Sequence, residues 1–477
     1  MLITHHSNRL ERLADVLAEI LAIPLASPLA PEVVAVQSIG TARWLALRLA
    51  RRFGITANIQ FPFPAALLWR LFRAALPDVP ERSPFGVDVL TWRALAELTE
   101  VAGEPGFEPL AEYLREGDER TRYALAQQIA LRFDEYMVYR PDWILAWENG
   151  KADHWQARLW RRITGGQPVR HRVRLAEEFV ASLRSGALGN VLPERISLFG
   201  LTVLPPVHLG LFAELAGACD VHLFLLNPCQ EYWGEIWGPR EIARRAGEAD
   251  PEALRLETGN SLLASLGTQG RDLFDRLQDL EAAEEARFEE PGEYCMLHAV
   301  QSDILHLRNR GEGREAPTPI CADDRSIQVH ACHSPAREVE VLHDQLLALF
   351  EREPGLTPAD VLVIASDIDR YAPLVDAVFG TADPARRIPY QIAGRAARRV
   401  APLIQAFYDL LAVPEGRCDP NAVLALLEVD AVRRRFGLVP PDLEHGDNHV
   451  VADHDALMDV PGEHQHLSLL PWAMAGA

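Results

Sequence analysis

Val33-Val34-Ala35-Val36 is the clearest apolar run near the start of the chain. Four short, mostly β-branched residues in a row predict a strand buried on both faces, as in a parallel sheet. Gln37 to Gly40 reads as a turn. From Ala42 the spacing becomes helical, with Leu45, Leu49 and Phe53 on one stripe. The same alternation recurs downstream. Ile196–Gly200 reads as a strand, Leu204-Pro205-Pro206 leads into a helix, and Val221–Leu226 is a second buried strand ended by Asn227-Pro228-Cys229. Strand, helix and strand in that order predict a right-handed βαβ unit. His222 inside that strand reads as a satisfied structural histidine.

The segments between these runs have their own patterns. Ile3-Thr4-His5 is a short start, and Ser7 or Asn8 is placed to cap a helix striped with Leu10, Leu13, Leu17 and Leu21. Ile59–Pro64 is kept extended by its prolines, and a helix with Trp69 follows over Ala65–Leu76. Residues 85–185 read as helical throughout, over Leu90–Thr99, Glu108–Leu114, Thr121–Tyr139 and Trp155–Ile163. A helix is predicted over Ser261–Leu280, then an acidic linker, then a loop over Gly311–Thr318. From Ser326 strands are predicted at Ile327–Ala331 and Val361–Ala365, with a helix to Phe350 capped by Ser334-Pro335, and helices at 401–412 and 420–427. From Gly437 the pattern weakens.

These elements give an α/β fold: a parallel-sheet lobe with a large α-helical insertion, followed by the start of a second α/β lobe. The divisions are 1–84, 85–185, 186–325, 326–436 and a tail, 437–477, expected to be disordered or out of frame.

Composition narrows the chemistry. With 48% hydrophobic and 24% charged residues over 477 positions, the values are globular. No uncharged apolar stretch reaches the roughly 18 residues of a membrane span, and no signal-peptide pattern opens the chain. Six cysteines are scattered without a C-x-x-C pair, which fits reduced thiols in the cytoplasm and no metal ribbon. Lys151 is the only lysine. It lies in a polar turn, so no P-loop lysine, Schiff-base lysine or nuclease lysine is available. The turn Gly40-Thr41-Ala42-Arg43-Trp44 also lacks the second glycine of a phosphate loop. The chain reads as a nucleotide-motor scaffold without motor chemistry.

Charge is uneven around the net value of −21. Six arginines and no acid lie between Arg158 and Arg174, close to Trp143, Trp147, Trp155 and Trp160. Aromatic and arginine side chains interleaved this way suit a path for single-stranded nucleic acid, or a bundle core with a solvated basic face. Asp367 and Asp369 suit a helix cap better than a Mg²⁺ site, because no third carboxylate joins them. His445, His449, His454, His464 and His466 have no element to fix their spacing as metal ligands.

Several blocks resemble the RecC family, the gamma subunit of the RecBCD exonuclease (exodeoxyribonuclease V). They are His6–Leu10, Val36-Gln37-Ser38 with Gly40 and Trp44-Leu45, Phe53-Gly54-Ile55 with Ala57-Asn58-Ile59, and Val138–Trp143. Further blocks are Leu204-Pro205-Pro206, Asn227-Pro228-Cys229 with Tyr232-Trp233-Gly234, Cys332–Pro335, and Arg337–Asp344. The resemblance implies a superfamily 1 helicase fold that has lost ATP hydrolysis. It implies RecB and RecD as partners, ATP and Mg²⁺ used by those partners and not by this chain, and single- and double-stranded DNA as ligands. It also implies a role in double-strand break repair by recombination. It carries a channel that reads the hotspot Chi onto Gln37, Arg43, Phe63, Trp69, Asp134, Arg140 and Arg172, with no catalytic, nucleotide or metal residue. Here Ile39 stands for a polar residue, Arg43 for an amide, Phe63 for a leucine, and Leu131-Arg132 for an Asp-Leu pair. The alternatives are a divergent ATPase or nuclease using Asp367 and Asp369, and a truncated, non-functional product, since family members are more than twice this length.

Overall fold

Alternation along the strands decides the architecture. Val33 and Ala35 pack into one apolar layer, while Val34 and Val36 pack into another. Ile196 and Leu198 join the first layer and Phe199 the second; Val221, Leu223 and Leu225 join the first and Phe224 the second. A sheet that buries both faces needs no polar side, which explains the unbroken apolar runs.

A computed structural model describes residues 1–438 apart from 28, 102, 116, 166–169, 189–190, 248–257, 281, 311–316, 394–401 and 414–418. The tail histidines and the end of the chain therefore lie outside the described residues. The chain divides into two units, Met1–Ile327 and Gln328–Ala477.

The first unit opens with β1 (Leu2–Ser7), α1 (Leu10–Leu21), β2 (Glu32–Ala35), α2 (Ile39–Phe53), β3 (Ile59–Gln60) and α3 (Pro64–Ala75). Six helices follow without a strand: α4 (Val87–Val101), α5 (Glu108–Leu114), α6 (Glu119–Tyr139), α7 (Pro141–Glu148), α8 (Trp155–Ile163) and α9 (Arg172–Arg184). Then come β4 (Arg195–Phe199), α10 (Pro206–Leu215), β5 (Asp220–Leu226), α11 (Pro239–Ala246), α12 (Ser261–Leu266), α13 (Thr268–Gln278), β6 (Ala283–Ala286) and α14 (Met296–Leu305). The sheet order is β3-β2-β4-β5-β1-β6, and all its pairings are parallel. Helices α1 and α2 cover one face. Helices α3, α9, α10 and α13 cover the other. The helical stretch has its own core, built on Phe85, Phe133, Trp147 and Trp160.

Three sequence expectations for this unit need correction. Gly40 lies inside the first turn of α2, because Ser38 caps the helix by accepting a hydrogen bond from the Thr41 amide. The turn that does need a glycine is at the other end, where Gly54 closes α2 at φ +82°. The helix expected over Ser261–Leu280 breaks at Gly267 into α12 and α13. The acidic linker contains β6, whose Glu284 and Glu285 are exposed on a sheet edge. Backbone pairing with β1, not apolar patterning, makes it a strand.

The second unit contains α15 (Pro335–Arg352), α16 (Ile368–Phe379), α17 (Pro402–Ala412), α18 (Pro420–Glu428) and α19 (Asp430–Phe436). Ser334 caps α15 with Pro335 in its first turn, and Asp367 caps α16, as the sequence predicts. The strands expected at Ile327–Ala331 and Val361–Ala365 do not form. No ladder joins them to a neighbour among the described residues, and Val329, Leu362 and Ile364 are 92%, 82% and 84% exposed. An apolar run becomes a buried strand only when a ladder partner and a covering layer are supplied.

Candidate nucleic-acid interface

In open α/β sheets, ligands gather at the carboxyl ends of the strands, where the strand order reverses. Here the reversal is at β1. The chain leaves β1 for β2 on one side and reaches β6 on the other. The β1–α1 turn is therefore the phosphate position of the fold, and it was not the turn that patterning singled out. It reads Ser7-Asn8-Arg9, again without glycine or lysine. The segment after β6 is tied across it. Ser7 Oγ donates to the Arg287 carbonyl (2.8 Å), and the Asn8 side chain both donates to the Glu289 carbonyl (2.8 Å) and accepts from the Glu289 amide (2.9 Å). The Glu289 carboxylate pairs with Arg9 (3.0 Å) and with Arg12. The chain's own anion thus sits at the helix N-terminus where a bound phosphate is favoured.

Gln37 follows β2 by two residues on the same edge. Its Nε2 donates to the Val203 carbonyl (2.6 Å), and its Oε1 accepts from the Thr202 amide (3.2 Å) and hydroxyl (3.1 Å). The second amide hydrogen has no hydrogen-bond partner among the described residues. Arg43, one turn into α2, is exposed and has no ion pair among the described residues. Phe63 precedes α3 and is 46% exposed. Trp69 is half-buried against the first apolar layer. Its indole N–H donates to the Pro80 (3.2 Å) and Glu81 (3.1 Å) carbonyls, so it holds the α3–α4 connection.

Asp134 of α6 and Arg172 at the start of α9 form a 2.5 Å ion pair, each side chain 27% exposed. Burial raises the Asp134 carboxyl above its ordinary range despite Arg172. His208 of α10 is held neutral, its pKa lowered to about 4 by burial and then by Arg172. Arg140, after α6, is exposed. It donates to both Asp142 oxygens (3.0 and 2.8 Å) and lies 3.8 Å over the Trp143 ring. The structure joins Asp134 to Arg172 directly. Among the described residues, no hydrogen bond, ion pair or ring contact joins Arg140, Trp69, Gln37, Phe63 and Arg43 to one another.

Two family models match the sequence. The model "RecC, N-terminal domain" covers residues 2–307, and "RecBCD enzyme subunit RecC fourth domain" covers 400–455. The chain belongs to the RecC family. Relatives named RecBCD enzyme subunit RecC include that of Escherichia coli, 37% identical over 93% of this chain and 44% of the relative. The Haemophilus influenzae protein is 32% identical over 93% and 45%. That of Mycolicibacterium smegmatis is 34% identical over 92% and 41%. The chain thus spans under half the length of these RecC proteins. The RecC N-terminal match contains all seven candidate residues, and the fourth-domain match runs into the segment from 437 set apart above as a tail.

The arginine run of this RecC chain is largely paired. Arg158 is bound by Asp153 (2.7 Å), Arg162 by Glu97 (2.7 Å) and Glu104 (2.7 Å), and Arg170 by Glu178 (2.7 Å). Glu148 accepts from His171 (2.5 Å) and Arg174. Burial opposes its ionisation, but these two bonds win and hold it below the usual carboxylate range. Trp147 and Trp160 are buried in the helical core, while Trp143 and Trp155 reach its surface. Acids flanking the run (Asp153, Glu177 and Glu178) and acids distant in sequence (Glu97, Glu104 and Asp134) neutralise it together, and the distant ones are what a count along the chain could not reveal. Glu289 was equally hidden, because its partners Arg9 and Arg12 are nearly three hundred residues earlier. Among the described residues no helix is long and apolar enough to cross a membrane, and no group of three His, Cys, Asp or Glu side chains is placed to hold a metal.

Proposed function

We propose that this chain is a non-catalytic, DNA-handling part of a RecBCD-type helicase–nuclease. In this reading it holds RecB and RecD partners in the cytoplasm and passes single strands during double-strand break repair by recombination. Lobe one of an inactivated superfamily 1 helicase-like fold is residues 1–325, interrupted by the helices of 85–185; lobe two starts at 326. ATP and Mg²⁺ act in the partners. The observation that carries this reading is Glu289, whose carboxylate lies with Arg9 and Arg12 at the β1–α1 turn. A nucleotide phosphate bound there would meet a like charge, and the single lysine of the sequence, Lys151, lies between α7 and α8 and not in this turn.

The DNA face is the carboxyl edge of the sheet with the adjoining helices. Arg43 supplies a free cation for phosphate, Phe63 an exposed ring for stacking, and Gln37 one amide hydrogen for a base edge. Asp134 with Arg172, and Arg140 on Trp143, extend that face onto the helical stretch; Trp69 supports it from below. Reading of Chi would use these groups.

The test is co-expression with RecB and RecD from the same genome. The reading expects a complex that unwinds DNA with ATP, and a chain that alone hydrolyses none. ATP turnover by the chain alone, abolished by Asp367→Ala and Asp369→Ala, would favour an enzyme instead.

A further inference from the structure

The helical stretch carries a cleft of about 520 Å³ that the seven candidate residues do not line. Its walls are Trp143, Ala146 and Trp147 from α7, and Ala152, His154, Trp155 and Gln156 from the segment entering α8. We infer that this cleft holds one unstacked base of a single DNA strand. The inference rests on the reading that the chain handles single strands, and it names where a base is gripped.

Trp143 and Trp147 stand one helical turn apart and so share a face of α7. Their rings are 6.4 Å apart and tilted by 31°. Trp147 is 2% exposed and packs edge-on against Phe133 and Tyr136, which makes it a fixed wall. Trp143 is 37% exposed and is steadied by the Arg140 guanidinium over its ring. Asp142 in turn holds Arg140. Rigid aromatic faces of this kind bind any base through its π-face.

The polar groups suit the same guest. Gln156 Nε2 donates to the Tyr136 hydroxyl (3.3 Å), which directs the amide and leaves its carbonyl as an acceptor for a base N–H, an amino group or the imide N–H of thymine. His154 is exposed and edge-on to Trp147 at 5.2 Å, and its ring nitrogens make no hydrogen bond among the described residues. Lys151 directly precedes the lining residue Ala152. It is exposed and has no acidic partner among the described residues, whereas nearby Arg158 and Arg161 are bound to Asp153. A nucleotide offers a flat ring, an amino or carbonyl edge and a phosphate. An aliphatic side chain from a protein partner would leave Gln156, His154 and Lys151 without counterparts.

The test compares the full chain with Trp155→Ala, which removes a wall, and Ala152→Phe, which fills the cleft from a short side chain. Each is titrated by fluorescence anisotropy with an oligothymidylate of roughly twelve nucleotides and with an abasic strand of the same charge. Melting temperatures confirm folding. The inference expects about tenfold weaker binding of the oligothymidylate in both variants and no change for the abasic strand. Unchanged oligothymidylate binding in folded Ala152→Phe would overturn the cleft assignment while leaving single-strand handling intact. Failure of the unaltered chain to bind either strand would overturn both.

Discussion

Arg172 and Asp134 meet at 2.5 Å across α9 and α6, with about a quarter of each side chain exposed. Removing one partner from a half-buried pair leaves a charge in a place that disfavours it. Arg172→Ala should cost about 1–3 kcal/mol in denaturant unfolding, discounted from a fully buried pair for solvent screening. Asp134→Ala in the same chain should restore part of that loss. A double variant as unstable as the sum of the single ones would show that the two groups do not interact.

Glu289 predicts the response to nucleotide. If its carboxylate with Arg9 and Arg12 fills the phosphate position, millimolar Mg-ATP leaves the melting temperature unchanged. Any ligand bound only by the folded form raises it by mass action. A concentration-dependent rise would place a nucleotide site in this chain.

Buried His222 and half-buried His208 make stability depend on pH. His222 donates or accepts across 3.1 Å to His5 on the neighbouring strand, and burial lowers its pKa to about 4. His208 has the same depressed value. In the unfolded chain both titrate near 6.5. Between those values the unfolded state binds more protons, so stability falls as pH drops from about 6.5 towards 4. Above 6.5 these groups add no further slope. Melting scans at pH 7 and pH 5 should differ, and His208→Gln should reduce the difference without removing it. Equal stability at both pH values would contradict histidines held neutral by the fold.

Cysteine reactivity separates the core from the surface. Burial pushes the Cys219 and Cys229 thiols up to about 11, whereas Cys321 is exposed. Iodoacetamide at pH 8 should label Cys321 quickly and leave Cys219 and Cys229 unmodified until the chain is unfolded. Peptide mapping by mass spectrometry reads the order directly.

The strands that were legible are those buried on both faces. Val33–Val36, Ile196–Phe199 and Val221–Leu226 carry apolar residues to both layers, so periodicity exposes them. β1 was seen only as a short start because His5 and His6 break its apolar run, although both are buried. β6 was invisible because Glu284 and Glu285 face solvent and only backbone pairing holds the strand. The caps Ser334 and Asp367 were legible because capping is local. Pairings between distant residues, Gln37 with Thr202 and Arg172 with Asp134, were not, since nothing local marks them. For that reason the sequence could nominate the candidate residues without telling which are committed to the fold.

Single-strand binding by the whole chain across a salt series tests the central claim most directly. Arg43→Ala is the main variant, because Arg43 is exposed and has no ion pair among the described residues. Arg140→Ala accompanies it. The account predicts log affinity falling linearly with log salt, and a slope shallower by about 0.7 in Arg43→Ala, as loss of one phosphate contact requires. Folding should be unchanged. Folded protein that fails to bind single strands at low salt, or binds with no salt dependence, would contradict it.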